Sequence, residues 1–324
     1  MACGGDRDRA ADGGHWGWLA CLILVVDWSV GRLNTMVRKV GGRVNAIDPR
    51  DPKAPPVEAG VVEISTTVIR ILAPNPSPMT LDGTNTYLVA DTGRSRVVVI
   101  DPGPVVAEHL SAMVHEIRSR QLEVQAVITT HAHPDHAALG TQAADEFGVP
   151  FITAQEIVDS ALAQRILTGC GIGVLQTPGH SGDSLSYVSA DGVLLSGDHL
   201  LGRGTTAILH PDGSLRQYLR SLTKVEGTEF VAIAPGHGPA MDANLGRSVI
   251  AYYRSHRLER VEQIRHHLEA GLRVVPELVQ ALYGPIESPI VAWSAKASTL
   301  ATITYLSEEG DWSLRGDQVV PASH

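Results

Sequence analysis

The segment Thr130-His131-Ala132-His133-Pro134-Asp135-His136 places four potential metal ligands within six residues, directly after the apolar run Ala126-Val127-Ile128-Thr129. Side chains two apart on a strand point the same way. A strand over residues 126–130 would therefore send His131 and His133 off its end on one side, where one metal can take both imidazoles. Pro134 turns the chain, which lets Asp135 and His136 reach towards a second cation a few ångströms away. Two neighbouring cations need a bridging anion, and this segment contains none. The chemistry expected of such a cluster is metal-dependent hydrolysis.

Three further candidates follow, each on a glycine-flanked turn after an expected strand: His180 in Thr177-Pro178-Gly179-His180-Ser181-Gly182, Asp198 in Leu195-Ser196-Gly197-Asp198, and His237 in Ala234-Pro235-Gly236-His237-Gly238-Pro239. Loops beyond strand ends are where rigid scaffolds present reactive groups. A single histidine is more often structural than ligating, and this chain has fourteen, so the weight falls on the ordered set. That set resembles the signature of the metallo-β-lactamase superfamily, H-x-H-x-D-H followed by His, Asp and His, at all seven positions. Carried over position by position, the resemblance implies that His131, His133 and His180 hold one metal. It implies that Asp135, His136 and His237 hold the other, with Asp198 bridging. Two Zn2+ ions suit such ligands, and iron or manganese would also accept nitrogen and oxygen donors. His199 follows Asp198 but lies outside the signature, and reads either as a group behind the ligands or simply as a packed loop residue.

The chemistry implied is attack by a hydroxide bridging the two metals, with Asp135 as the catalytic residue that orients it. Among superfamily branches, one subclass of zinc β-lactamases has Cys at the bridging position and another lacks the bridging Asp, so Asp198 points away from antibiotic hydrolysis. The segments Leu81-Asp82-Gly83-Thr84-Asn85-Thr86-Tyr87-Leu88, Ile100-Asp101-Pro102-Gly103-Pro104 and Leu200-Leu201-Gly202-Arg203-Gly204-Thr205-Thr206 look like the lactamase-β-like endoribonuclease branch. Asn85, Arg203, Thr205 and Thr206 are the substrate-binding candidates, the threonines as hydrogen-bond donors to an incoming oxyanion.

The elements that must position these groups begin near residue 59. Short β-branched runs occur at residues 61–71, 86–89, 96–101, 126–130, 173–176, 185–188, 193–195 and 230–233, with helical patterns at 105–120, 137–147 and 215–225. This mixture fits an α/β (α+β) fold, two sheets with helices outside, which is the αββα sandwich that the resemblance implies for residues 59–245. Residues 246–324 read as a small helical unit: a long helix over 246–270, shorter ones over 276–282 and 292–306, then a glycine-bounded hairpin. This order is winged-helix-like, as in the resembled branch. Arg254, Arg257 and Arg260 recur every three residues and share a broad face, either solvated or able to track phosphates.

Residues 1–58 differ from the rest. The apolar run 16–26 is shorter than the about 20 residues a membrane span needs, and the acidic residues Asp6, Asp8 and Asp12 do not suit a signal peptide. Proline-rich residues 46–58 read as a linker, the whole extension is expected to be disordered, and Met36 is a candidate start. Cys3, Cys21 and Cys170 form no C-x-x-C pair, which argues for a reducing compartment. A cytoplasmic enzyme without a membrane segment is expected. A net charge of -9 does not favour nucleic acid. Three functions follow: cleavage of single-stranded RNA, hydrolysis of a small acyl thioester or ester as in glyoxalase II, and nucleic-acid binding by a vestigial site.

Overall fold

The computed structural model describes residues 56–322, so the expectations for residues 1–55 lie outside the described residues. The first sheet holds six strands in sequence order: β1 (Val61–Glu63), β2 (Val68–Leu72), β3 (Asn85–Ala90), β4 (Arg96–Ile100), β5 (Glu123–Ile128) and β6 (Phe151–Ile152). The pairs β1–β2, β2–β3 and β3–β4 are antiparallel, and β4, β5 and β6 are parallel. The second sheet runs β11 (Met241–Asp242), β10 (Ala232–Pro235), β9 (Val193–Gly197), β8 (Leu185–Val188), β7 (Gly173–Gln176). Here β9 and β10 are parallel, and β7 shares their direction because two antiparallel steps separate it from β9.

Alternation along the strands sorts the layers. In β4, Val98 and Ile100 face the second sheet and pack with Tyr187, Leu195 and Ala234, whereas Val97 and Val99 face outwards. The outward residues meet Met113 and Ile117 of α1 (Ala107–Ser119), and Ala143 and Ala144 of α3 (Gly140–Phe147), which follows the single turn α2 (Pro134–Ala137). On the second sheet Val193 and Leu195 point inwards and Leu194 outwards. Strands covered on both faces read as continuous apolar runs, which is why Arg96–Ile100 and Val193–Gly197 carry so little polar alternation. Helix, sheet, sheet, helix is therefore the observed layering, as expected.

The outer layer of the second sheet consists of α6 (Leu215–Glu226), α7 (Ala243–Glu269), α8 (Val275–Tyr283) and α9 (Pro289–Glu308), followed by the hairpin β12 (Trp312–Arg315) and β13 (Gln318–Pro321). Leu194 and Ile233 of the sheet share one apolar cluster with Tyr218, Val249, Tyr253, Ile264, Leu278, Ile303 and Trp312, so this layer passes residue 245 without a break. Two small helices, α4 (Ala154–Ile157) and α5 (Ala161–Gly169), lie after β6. Residues 61–71, expected as one run, form the hairpin β1–β2, its turn fixed by Thr66 and Thr67 donating to Asp191. Among the described residues, no helix is long and apolar enough to cross a membrane.

Candidate metal centre

All seven predicted ligands follow the carboxyl ends of strands: His131, His133, Asp135 and His136 after β5, His180 after β7, Asp198 after β9, His237 after β10. Because β7, β9 and β10 run the same way, their loops meet at one edge. Three groups of converging donor atoms result, each within 4.8 Å: His131, His133 and His180; Asp135, His136 and His237; and His131, His136 and Asp198. The third group reaches across the first two, and Asp198 stands 3.4 Å from His136 Nε2, 3.4 Å from His237 Nε2 and 3.6 Å from His180 Nε2.

Hydrogen bonds on the outer side of the rings decide which nitrogens are available. The Thr130 hydroxyl donates to Asp101 Oδ2 at 2.8 Å, so it accepts from His131 Nδ1 at 3.0 Å. His136 Nδ1 donates to Asp101 at 2.9 Å, His180 Nδ1 to the Ala207 carbonyl at 2.7 Å, and His237 Nδ1 to the Gly83 carbonyl at 3.1 Å. Each of these four rings therefore turns its Nε2 inwards as the nitrogen available to a ligand. His133 offers Nδ1 instead, 2.8 Å from His131 Nε2 and 3.0 Å from His180 Nε2. Lone pairs aimed at one another repel unless a cation lies between them, and Asp198 Oδ1 is buried without a hydrogen-bond partner. Imidazole nitrogens and carboxylates in this arrangement fit metal ions of the zinc type.

Electrostatics divides the centre in two. Burial pushes His131 well below the ordinary imidazole value and His180 down to about 4, so these rings are neutral at pH 7. Burial acts the same way on His136 and His237, but Asp101 and Asp198 outweigh it at His136. Asp198 and Asp135 raise His237 to about 9. Conversely, burial would raise Asp198 and Asp135, and the neighbouring imidazoles hold both below the usual carboxylate range. His133 and Asp135 are only partly buried while the other ligand histidines are buried, which marks the side open to substrate.

The local sequence shows why these loops hold their shape. A Cβ on Gly236 would stand 2.6 Å from Asp198 Oδ1 and 2.7 Å from His136 Cε1, closer than atoms can approach, so only glycine fits before His237. Asn85 donates its amide to the Pro235 and Gly238 carbonyls at 2.9 and 2.8 Å, and Tyr87 donates to Pro235 at 2.7 Å. Asn85 thus holds the His237 loop from behind. Thr206 lies behind His180, its hydroxyl 3.0 Å from Nδ1, and Arg203 pairs with Asp82. Thr205 is partly buried in the same loop. His199 is buried against Tyr218, with ring centroids 4.9 Å apart, and lies outside the three donor groups. The group that sequence reasoning missed is Asp101. It is buried, in a left-handed backbone conformation, and also accepts the Thr130 amide at 2.6 Å. Its one visible signal was its place in Ile100-Asp101-Pro102-Gly103.

Comparison with known proteins agrees with this geometry. A family model described as the metallo-beta-lactamase superfamily matches residues 79–167. A beta-lactamase-like protein 2 homolog of Drosophila melanogaster is 33% identical over 225 residues, covering 63% of this chain and 74% of that protein. An atrochrysone carboxyl ACP thioesterase of Aspergillus chevalieri is 29% identical over 282 residues, 79% of this chain and 87% of that protein. The crystal structure of a beta-lactamase domain protein from Burkholderia ambifaria shares the fold, with a TM-score of 0.65, 22% identity, and coverage of 84% of this chain and 96% of that one. The chain belongs to the metallo-β-lactamase superfamily, and it is a hydrolase of that superfamily.

Proposed function

We propose that this protein hydrolyses acyl thioesters at a two-metal centre. His131, His133 and His180 would hold one ion, Asp135, His136 and His237 the other, and Asp198 would lie between them. When bound, such ions act as Lewis acids and lower the pKa of water towards neutrality. Asp135 is the carboxylate on the open side, 3.2 Å from His237 Nε2, where it can orient the attacking water and pass on its proton. The histidines keep their orientation through Asp101, Ala207 and Gly83.

The observation that carries the thioester over RNA is the state of the arginines on α7. Arg254 binds Glu226 and Thr223, Arg257 the Thr206 carbonyl, Arg260 the Leu282 carbonyl, and Arg265 Asp311. The face that would track phosphates is engaged with the protein's own chain. A thiolate, with a pKa near 8.5, leaves readily without an acid to protonate it. Similarity to a protein named as an acyl carrier protein thioesterase, over most of this chain, supports the same reading.

The test is turnover by the zinc-loaded protein and its Asp135→Ala variant against a panel of acyl thioesters, followed by thiol release, and against single-stranded RNA. Thioester cleavage that falls by two or more orders of magnitude in the variant is expected. RNA cleavage lost in the variant, with no thioester turnover in the wild type, would establish the nuclease instead.

A further inference from the structure

Between Asp198 and α6 the chain runs irregularly, and this segment supplies both groups around the outer nitrogen of His180: the Ala207 carbonyl and the Thr206 hydroxyl. It is suspended from the outer helices. The Tyr218 hydroxyl donates to the His199 carbonyl at 2.7 Å. Tyr253 on α7 accepts the Leu201 amide and donates to the Gly204 carbonyl, both at 3.1 Å. The Ile208 amide donates to Ser298 of α9 at 3.1 Å, and Arg257 donates to the Thr206 carbonyl.

Arg257 stands out among these. Its side chain is buried, with the guanidinium 5.6 Å from the centre of the Tyr218 ring. Among the described residues, no carboxylate lies within ion-pair distance of it, and its Nε has no hydrogen-bond partner. Burying a guanidinium without a carboxylate is costly, and an apolar residue of similar volume would pack here more cheaply. The donor it places on Thr206 is the contact an apolar residue could not make.

We infer that Arg257 is a positioning residue for His180. By holding the Thr206 carbonyl it fixes the peptide whose next carbonyl orients the imidazole. It thereby sets the affinity of the metal held by His131, His133 and His180 and leaves the group of Asp135, His136 and His237 untouched. Outer partners of metal-binding histidines commonly alter affinity by about 10–100-fold. This inference rests on the two-group reading of the centre and is independent of the substrate.

The experiment is a cobalt(II) titration of the metal-free full-length protein followed by visible absorption, with His180→Ala and His237→Ala marking the signal of each group. In Arg257→Met, cobalt uptake at the His180-marked group is expected to weaken by about 10–100-fold, with the His237-marked group unchanged. Arg257→Lys, whose ammonium can still donate to one carbonyl, should fall between. Circular dichroism checks folding. Should Arg257→Met not fold, Ser298→Ala takes its place, since it releases the Ile208 amide of the peptide whose carbonyl orients His180, and the same selective loss is expected. Equal weakening of both groups, or none, in folded variants overturns the inference. If the wild type binds a single equivalent, the two-metal reading fails. The inference then stands only if Arg257→Met and His180→Ala weaken that equivalent in parallel.

Discussion

Acidification should destabilise this fold through His109, a histidine far in sequence from any ligand. It lies on α1 and is 1% exposed, its Nε2 2.7 Å from the Thr86 hydroxyl. That hydroxyl gives its only proton to the Asp101 carbonyl at 2.6 Å, so Nε2 must be the donor and Nδ1 bare. Nδ1 is buried with no partner, and burial pushes the ring from 6.5 down to about 4. The unfolded chain takes up a proton near 6.5 and the folded one near 4, so between these values the unfolded state binds more protons and stability falls as pH falls. The contribution is fully present above 6.5 and lost below about 4. At about 1.4 kcal/mol per pH unit, the drop from pH 6.5 to 5 amounts to about 2 kcal/mol. Urea unfolding of the metal-free protein at pH 7.5 and 5, compared with His109→Gln, isolates this term from the other buried histidines. The variant should lose about 2 kcal/mol less over the interval. Parallel losses in the two proteins would refute the reasoning.

Two further substitutions address the ligands directly. Gly236→Ala brings a methyl group into Asp198 and His136; a ligand shift approaching 1 Å predicts about a 100-fold loss of kcat, read alongside circular dichroism that stays native. Asp101→Asn leaves His136 Nδ1 without its carboxylate, and a competition titration against a chelator should show metal affinity lowered by about 10–100-fold. Unchanged affinity would remove Asp101 from the centre.

The ligands were legible because their constraints are local. A strand end followed by His-x-His-Pro-Asp-His can converge only in a few ways, and the glycines at 179, 197 and 236 mark turns that leave room for close approach. The groups that fix the rings were not legible, because two of the four are the backbone carbonyls of Gly83 and Ala207, which any residue would provide. Asn85 was identified, but its partners are carbonyls about 150 positions away that no local pattern reveals. Short elements such as β6 and β11, two residues each, carry too little periodicity to be seen, and they exist because a neighbouring strand completes them.

The arginines of α7 show where periodicity stops informing function. Their three-residue spacing places them on one broad face, but whether a face meets solvent, a ligand or its own chain depends on distant partners. Here those partners are Glu226, Thr206, Leu282 and Asp311, on four different segments. A helix that looked like an appended binding module thus has two residues, Tyr253 and Arg257, that reach the loop between Asp198 and α6. The first ligand outside the main motif, His180, is oriented by that same loop. Arg257 reaches the Thr206 carbonyl, whereas the body of α7 packs on Leu194 and Ile233 of the strands that carry Asp198 and His237. Truncating Arg257 alone should therefore reach the His180 group first, while wider damage to the helix should reach both groups.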